Sequence, residues 1–204
     1  MYLTEVNYMN SENNNQISNL TDEEIVKILI DGNLDSFKFI ILRYQNKLSR
    51  YIKSILINAT KEEIEDILQE VFILVYRNIN SFNLNLKFST WIYRIAHNHT
   101  INYSKKHRSK NFNYNIEDFE NIENLLVSDI DIKDEVEIEY IKLELKKALA
   151  DLDIRYRSVL ILKYFGNKSY EEISDILKIP KNTVGTFINR GKKKLLEKLK
   201  SVLY

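Results

Sequence analysis

The feature that most constrains the fold is a helix-start signature that occurs three times along the chain. Ser or Thr stands three positions before Glu at 21–24, 60–63 and 169–172, and in this capping box the two side chains satisfy free backbone N–H groups of the first helical turn. Apolar residues follow each signature at spacings of three and four, as one face of a helix requires. The chain has only 4 Gly and 1 Pro, which disfavours the many turns of an all-β fold. The sequence therefore predicts an all-α protein.

Helical spacing and charge divide this all-α chain into two small helical domains joined by an acidic linker, with a helix-turn-helix in the C-terminal domain. The first residues are polar and rich in Asn, so we expect them to form a disordered leader. The predicted parts are a leader at 1–20, a four-helix domain at 21–110, a linker at 111–139 and a C-terminal domain of about four helices at 140–204.

Single residues mark the ends of further helices. Gly32 is the expected stop of the first helix, because Gly tolerates the backbone conformation that ends helices. Ser89 and Asp153 are the expected N-caps of two later helices, since short polar side chains accept hydrogen bonds from the first turn.

Composition excludes several classes of function. The chain has no Cys, which excludes disulfide frameworks, Cys-based zinc sites and thiol catalysis. It has no apolar run of about 18 residues that could span a membrane, and its N-terminus does not resemble a secretory signal. The sparse Gly residues exclude a Gly-rich phosphate loop. We therefore expect a cytoplasmic protein with no membrane insertion and no cofactor.

The net charge of +1 conceals a strong alternation along the chain. Blocks of positive charge bind polyanions such as nucleic acid, so the alternation predicts two nucleic-acid-binding segments separated by an acidic connector. The block charges are −5 for residues 1–76, +7 for residues 77–110, −9 for residues 116–144 and +8 for residues 145–204.

Residues 169–190 have the spacing of a helix-turn-helix, in which a short capped helix and a tight turn precede a second helix. Ile173, Leu177, Val184 and Ile188 would form the shared core, and Ser174 is small where the helices approach. The N-terminal turn of the second helix would then enter the major groove. A plain helical hairpin has similar spacing and remains the alternative.

The basic block at 77–110 also contains aromatic residues, among them Phe82, Phe88 and Trp91. Exposed aromatics beside Lys and Arg are typical of a single-strand-binding surface, because bases stack on them. The alternative is that these rings belong to the hydrophobic core.

Two other groups of polar residues are candidates for a metal site or a carboxylate pair. His97 and His99 would lie on different faces of one helix, which disfavours a metal site. Asp66 and Glu70 are one helical turn apart and favour an exposed acidic face for a protein partner. No nucleophile and base stand together, so the sequence predicts no catalytic site and no enzyme.

Taken together, the two nucleic-acid segments resemble a known family. The chain is similar to bacterial RNA polymerase sigma factors of the sigma-70 family, in the two-domain extracytoplasmic-function (ECF) class. The resemblance is carried by DILQEVFILVY at 66–76, by SFNLNLKFSTWIYRIAHNHTINY at 81–103 and by residues 152–196. These segments resemble the polymerase-binding helix, the promoter-melting and −10 segment, and the −35-binding domain, in the family's order.

The resemblance implies a dissociable initiation factor that binds core RNA polymerase and directs promoter recognition, DNA melting and transcription initiation. Its expected partners are the β′ clamp helices, the β flap, duplex DNA at −35 and single-stranded DNA at −10, where a base must leave the stack before it is read. The resemblance also allows an anti-sigma partner, and it implies that the linker threads toward the RNA exit channel.

We expect three sets of residues to carry these roles. The polymerase-binding set is Asp66, Gln69, Glu70 and Phe72. The −10 set is Phe82, Asn83, Leu84, Asn85, Leu86, Phe88, Trp91, Arg94, Asn98, Lys105, Lys106 and Arg108. The −35 set is Lys181, Asn182, Thr183, Gly185, Thr186, Asn189, Arg190, Lys192 and Lys193.

The chain departs from the family's pattern in the helix-turn-helix. Lys178 stands where the family usually has Gly, at a position that requires positive φ. Residues 182–187 read NTVGTF, without two cations that the family usually has there, so the family's −35 sequence preference is not carried over. Two other functions remain open: a stand-alone helix-turn-helix regulator that binds duplex DNA, and a sigma-like adaptor that binds only protein.

Overall fold

The computed structural model describes residues 19–57, 59–107 and 135–203, with side chains in the last range from 143 to 199. All regular structure in these ranges is helical, so the predicted all-α fold is confirmed. The expected leader lies almost wholly outside the described residues, as do Arg108 and most of the expected linker. Among the described helices, none has the length and apolar character needed to cross a membrane.

The N-terminal part of the described chain contains four α-helices around one core. Buried residues such as Ile40, Leu48, Ile67 and Ile92 recur at helical spacing and pack between the helices. Single turns of 3₁₀-helix precede the second helix and follow the third. The helices are α1 (Asp22–Ile30), α2 (Phe37–Ile55), α3 (Lys61–Asn78) and α4 (Phe88–Lys106).

The C-terminal part also contains four α-helices. The first begins at Glu135, inside the range 111–139 that the sequence assigned to the linker. A wider π-helical turn, Ile161–Phe165, continues the second helix. The helices are α5 (Glu135–Asp151), α6 (Ile154–Leu160), α7 (Tyr170–Leu177) and α8 (Lys181–Leu203).

α6 and α8 approach closely at a glycine. A Cβ atom at Gly191 would stand 3.0 Å from Cδ1 of Leu160, which is fully buried. This distance is shorter than a normal carbon–carbon contact, so Gly at this position allows the two helices to pack directly on each other.

The three predicted capping boxes are all present. Thr21, Thr60 and Ser169 each accept a hydrogen bond from the backbone N–H three residues later, and the Glu at that position accepts one in return. Asp153 caps α6 as expected, because its carboxylate accepts a hydrogen bond from the Arg155 backbone N–H.

The predicted cap at Ser89 is wrong. α4 begins at Phe88, and no neighbouring side chain caps it. The Glu23 carboxylate of α1 instead accepts a hydrogen bond from the Phe88 backbone N–H at 2.7 Å. A tertiary contact therefore satisfies the helix start that a local side chain was expected to satisfy.

The two halves of the described chain pack against each other. α4 lies along α7, and α2 contacts both α6 and the π-helical turn that follows it. Arg157 of α6 donates a hydrogen bond to the carbonyl of Ile55, the last residue of α2, at 2.9 Å.

Candidate nucleic-acid and polymerase interfaces

The outer face of α3 presents most of the expected polymerase-binding set. Asp66, Gln69 and Glu70 are exposed, and the Glu70 carboxylate lies 2.6 Å from Nε2 of His99 on α4. Phe72 differs, because it is 8% exposed and its ring packs edge-on against Phe37. The described face thus offers two carboxylates and an amide, with Phe72 beneath them.

Two apolar residues that the sequence did not assign extend this face. Ile73 is 49% exposed and Tyr76 is 41% exposed, and the Tyr76 ring packs edge-on against Phe37 with centroids 5.1 Å apart. Both residues lie outside the line of buried apolar positions along α3. An apolar residue outside that line is the sequence signal that could have identified them. Apolar side chains beside exposed acidic residues are typical of a surface that binds another protein.

The loop between α3 and α4 presents polar and apolar side chains together. Asn83, Leu84, Asn85 and Leu86 are all exposed. The Asn83 side-chain oxygen accepts a hydrogen bond from the Asn85 backbone N–H at 3.0 Å, and the Asn83 carbonyl accepts one from the Leu86 N–H at 2.9 Å. These bonds form a tight turn that holds Leu84 and Leu86, which are 40% and 55% exposed, out into solvent.

The aromatic residues of the expected −10 set lie in the core. Phe82, Phe88 and Trp91 are between 0% and 8% exposed, and their ring centroids are 5.3–5.6 Å apart. In this arrangement the rings are not available to stack on a base, and the core alternative describes them correctly. The cluster packs directly beneath both ends of the exposed loop and fixes its position relative to α4.

The outer side of α4 is basic and polar. Asn98, Lys105 and Lys106 are exposed and Arg94 is half-buried. The helix contains no Asp or Glu, so no carboxylate on α4 itself opposes binding of a phosphate to these cations.

The histidines of α4 lie on different faces, as the spacing predicted. His97 is turned inward, where Nδ1 lies 2.8 Å from the Tyr51 hydroxyl, and burial lowers the pKa of His97 to about 4. It is therefore neutral near pH 7 and adds no charge to the basic side. His99 faces α3 and Glu70. Among the described residues, no cluster of three His, Cys, Asp or Glu side chains could hold a metal ion.

The segment 169–190 forms the predicted helix-turn-helix. Ile173, Val184 and Ile188 are buried between α7 and α8, and Leu177 is half-buried. The Ser174 hydroxyl donates a hydrogen bond to the Ile179 carbonyl at 2.6 Å, so this small residue also fixes the turn.

Lys178 ends α7 with φ = 55°, in the left-handed region. The expected positive φ at this position is confirmed. A Cβ atom in this conformation costs a non-Gly residue about 1 kcal/mol, which is a local strain within the turn.

The expected −35 set lies at the start of α8 and along one side of it. Asn182, Thr186, Asn189, Arg190 and Lys193 are exposed, whereas Thr183, Gly185 and Lys192 are half-buried. Three residues of the set also have partners within the protein. Lys181 pairs with Glu171, Gly185 lies next to the Tyr170 ring, and the Lys192 ammonium lies 5.8 Å from the Tyr164 ring centroid.

Phe187 replaces one of the missing cations for a structural reason. Its ring packs edge-on against Tyr156 of α6, with centroids 5.4 Å apart. The position therefore joins α8 to α6 within the C-terminal part of the chain.

Comparisons with known proteins agree with this arrangement. Residues 40–110 match the family model described as Sigma-70 region 2, and residues 142–195 match the one described as Sigma-70, region 4. The ECF RNA polymerase sigma factor SigW of Bacillus subtilis (strain 168) is 37% identical over 184 residues, which cover 87% of this chain and 96% of that protein.

Two solved structures have a similar fold. The structure of CnrH in complex with the cytosolic domain of CnrY has a TM-score of 0.65 at 18% identity, and covers 88% of this chain and 97% of that one. The sigma factor RpoE in complex with the anti-sigma factor NepR from Bartonella quintana has a TM-score of 0.59 at 20% identity, covering 80% and 96%. The chain belongs to the ECF class of sigma-70-family RNA polymerase sigma factors, which direct transcription initiation.

Proposed function

We propose that this sigma factor divides its task among three outward surfaces. The outer face of α3 binds core RNA polymerase, the loop at 83–87 with the outer side of α4 melts and holds the −10 DNA, and the first turns of α8 read the −35 duplex. The observation that carries the proposal is the kind of side chain that each surface exposes. α3 exposes acidic and apolar residues suited to a protein partner, whereas the loop with α4 and the start of α8 expose amides and cations suited to DNA. The expected domain bounds of 21–110 and 140–204 belong to the same proposal.

Polymerase binding is assigned to both the charged and the apolar residues of α3. Asp66, Gln69 and Glu70 supply polar contacts to the β′ clamp helices, and Ile73 and Tyr76 supply apolar area beside them. Apolar anchors surrounded by polar residues are the usual source of affinity in protein interfaces. Phe72 acts from below, where its packing against Phe37 supports the Phe37–Tyr76 contact.

Melting at −10 is assigned to a rigid loop on a basic helix. Leu84 and Leu86 are apolar side chains that can occupy the space left when bases unstack, and Asn98 can read the edge of a base turned out of the duplex. Arg94, Lys105 and Lys106 hold phosphates, and we assign Arg108 the same role from its sequence position. Phe82, Phe88 and Trp91 act by supporting the loop.

Recognition at −35 is assigned to amide and hydroxyl side chains on α8. Asn pairs with adenine in the major groove and the Thr methyl group contacts thymine, so Asn182, Thr186 and Asn189 are the proposed base-reading residues. Arg190 and Lys193 contact phosphates, which sets the helix in register without reading sequence.

The proposed location, the lack of a catalytic role and the further partners all follow from binding to core polymerase. The chain acts in the cytoplasm, is not itself an enzyme and needs no cofactor, because the polymerase supplies the catalytic groups. The acidic linker occupies the polymerase path toward the RNA exit channel, and the β flap receives the C-terminal domain. Because the RpoE relative was solved with an anti-sigma factor, we also propose that an anti-sigma protein binds this chain.

Run-off transcription with purified core polymerase tests the proposal. We expect promoter-specific transcripts from the wild-type chain, and strongly reduced transcripts from Leu86→Ala and Asn98→Ala. A template whose −10 region is already unpaired should restore transcription by Leu86→Ala, because that template needs no melting. Asn80→Ala, an exposed amide outside the −10 set, is the matched control.

The outcomes separate this proposal from its rivals. No promoter-specific transcript from any template of the class would contradict it. A stand-alone regulator would bind duplex DNA tightly without polymerase and would not respond to Leu86→Ala. A protein-binding adaptor would keep its activity after charge reversal at Lys192, Lys193 and Lys194.

A further inference from the structure

Helix α8 contains two glycines, and packing explains only one of them. A Cβ atom at Gly191 would stand 3.0 Å from Cδ1 and 3.3 Å from Cγ of Leu160, so a larger residue would crowd that buried side chain. At Gly185, the nearest contact of a Cβ atom among the described residues outside α8 would be Cε2 of Tyr170, at 3.5 Å. This is an ordinary van der Waals distance, so alanine would fit at Gly185 without moving its neighbours.

The backbone does not require glycine at this position either. Among the described glycines, only Gly32 has a positive φ, and Gly185 is the fifth residue of the regular helix α8. In the interior of a helix, Gly is less favourable than every residue except Pro. Gly is also the usual residue where a ligand must approach the backbone closely. The reason for Gly185 therefore lies outside the chain, in what α8 binds.

Gly185 lies beside the amides that we assign to base reading. Asn182 precedes it by three positions and Asn189 follows it by four, so both are its neighbours on the helix surface. Both amides are exposed, and Gly185 is half-buried. The missing side chain leaves a gap between them, which the Tyr170 ring bounds on the side of α7. We call this gap over Gly185, bounded by Asn182, Asn189 and Tyr170, the α8 notch.

The α8 notch is apolar within and polar at its sides. The Gly185 Cα and the edge of the Tyr170 ring offer apolar contact, and the two amides offer hydrogen bonds to base edges. The Lys163 ammonium lies over the Tyr170 ring, 5.4 Å from its centroid, and this cation–π contact holds the ring in place. In the major groove, thymine is the base that presents an apolar group, its C5-methyl. The chemistry of the notch therefore fits a thymine.

A thymine methyl group also matches the α8 notch in size, because the group that alanine would place there is itself a methyl group. An alanine at position 185 would hold the base farther from the α8 backbone by about 1.5 Å, the length of one carbon–carbon bond. Hydrogen bonds from Asn182 and Asn189 would then be stretched beyond their normal range. Glycine therefore brings the base edges within reach of both amides.

We propose that Gly185 is a specificity-determining residue for the −35 element, and that the α8 notch receives the C5-methyl group of a thymine in the major groove. Steric fit at the notch selects an A·T pair at that position, and the amides on either side read the neighbouring base edges. This proposal rests on the proposed assignment of −35 recognition to α8.

Removal of single methyl groups from the promoter tests the notch. Holoenzyme made with the full-length wild-type chain first selects −35 elements from a promoter duplex that is randomised in that region. Each thymine of the selected element is then replaced by deoxyuridine, which lacks only the methyl group. We expect one replacement to weaken binding of the wild-type holoenzyme about fourfold, the effect of burying about one methylene group. With Gly185→Ala, the same replacement should change the affinity by less than about 1.5-fold.

Two controls separate the notch from other effects. Thr186→Ser removes a methyl group from the exposed residue next to Gly185, and Thr methyl groups can themselves contact thymine. This variant should leave the methyl effect at the notch thymine unchanged. Urea denaturation of the free chains reports folding separately, and Gly185→Ala should be at least as stable as wild type, because Ala favours a helix more than Gly does.

A selected −35 element without thymine on either strand would overturn the proposal, as would a methyl effect that is absent from wild type or equal in wild type and Gly185→Ala. A loss of stability in Gly185→Ala would also overturn it, because packing would then require the glycine. Run-off transcription from the selected promoter reports the sigma function separately. A chain that transcribes without a methyl effect dependent on Gly185 rejects the notch alone, whereas a chain that gives no promoter-specific transcript rejects the proposed function.

Discussion

The Glu23 carboxylate of α1 accepts a hydrogen bond from the Phe88 backbone N–H of α4 at 2.7 Å. Because no acidic residue stands in the first turn of α4, Glu23 also supplies the negative charge that a helix N-terminus favours. We expect Glu23→Ala to lower the free energy of unfolding by about 1–2 kcal/mol, the usual cost of losing an N-cap. Urea denaturation measures the loss.

Two further variants test whether this loss of stability comes from the capping contact. Glu65→Ala removes an exposed carboxylate of α3 that makes only a surface ion pair with Lys61, and should change stability by less than about 0.5 kcal/mol. Glu23→Gln keeps an acceptor and should lose less than Glu23→Ala. Equal effects of Glu23→Ala and Glu65→Ala would contradict the capping role.

Stability should fall in mild acid because of His97. Burial lowers its pKa from 6.5 to about 4 in the folded chain, so below about pH 6.5 the unfolded chain binds a proton that the folded chain resists. The stability contributed by neutral His97 is fully present above pH 6.5 and is lost progressively as the pH falls to about 4. At about 1.4 kcal/mol per pKa unit, it amounts to about 3 kcal/mol.

Replacement of His97 isolates this effect from that of the carboxylates. His97→Gln should flatten the change in unfolding free energy between pH 6.5 and 4 relative to wild type, as measured by urea denaturation at each pH. His107→Gln, at an exposed position, should keep the wild-type slope. An unchanged slope in His97→Gln would rule out His97 as the source.

The turn of the helix-turn-helix can be stabilised by a single glycine. Lys178 has φ = 55°, and removal of its Cβ atom relieves about 1 kcal/mol of strain. We expect Lys178→Gly to raise the free energy of unfolding by somewhat less than this, because Gly makes the unfolded chain more flexible. Lys178→Ala keeps the Cβ atom and should bring no gain, so equal stability of the two variants would argue against strain at this residue.

Ile73 should contribute to the affinity for core polymerase. Its side chain is 49% exposed beside the acidic residues of α3, and Ile73→Ser removes most of the apolar area it offers. We therefore expect Ile73→Ser to bind core polymerase about tenfold more weakly, which corresponds to a loss of about 1.4 kcal/mol. Fluorescence anisotropy with labelled chain measures the affinity. Leu42→Ser, at a 62% exposed position of α2, is the control; equal weakening by both changes would place the interface elsewhere.

Binding to −35 duplex DNA should separate phosphate contacts from base contacts. Arg190→Ala and Lys193→Ala should each reduce the slope of log affinity against log salt by about 1, because one fewer counterion is released. Asn182→Ala should leave the slope unchanged and relax the preference for one base pair. A salt-independent affinity of the wild-type chain would be inconsistent with phosphate contacts by α8.

The parts of the fold that sequence predicts well are those encoded locally. Thr21, Thr60 and Ser169 are followed by their Glu partners within one helical turn, so the helix starts could be recognised without tertiary information. Lys178 was likewise identifiable, because the required backbone conformation belongs to a turn of a few residues.

The parts that the sequence did not predict depend on residues far apart in the chain. Glu23 caps α4 across 65 positions, so the nearby Ser89 was the better candidate on local grounds. Trp91 illustrates a second limit, since an aromatic residue in a basic segment fits either a nucleic-acid surface or a core, and only packing decides. The hydrogen bond from the Lys168 ammonium to the Ser89 hydroxyl, at 3.3 Å, likewise leaves no periodic signal in the sequence.

The glycine at the crossing of α6 and α8 has a mechanical consequence. Because no Cβ atom separates the helices at Gly191, α6 and α8 are in direct contact there through Leu160 and should move as one rigid unit. Arg157, which donates a hydrogen bond to the Ile55 carbonyl of the N-terminal domain, lies on α6, and Arg190, a proposed phosphate contact, lies on α8. Any displacement of α6 should therefore carry the start of α8 with it, so that the proposed base-reading residues keep their position relative to the rest of the C-terminal helices.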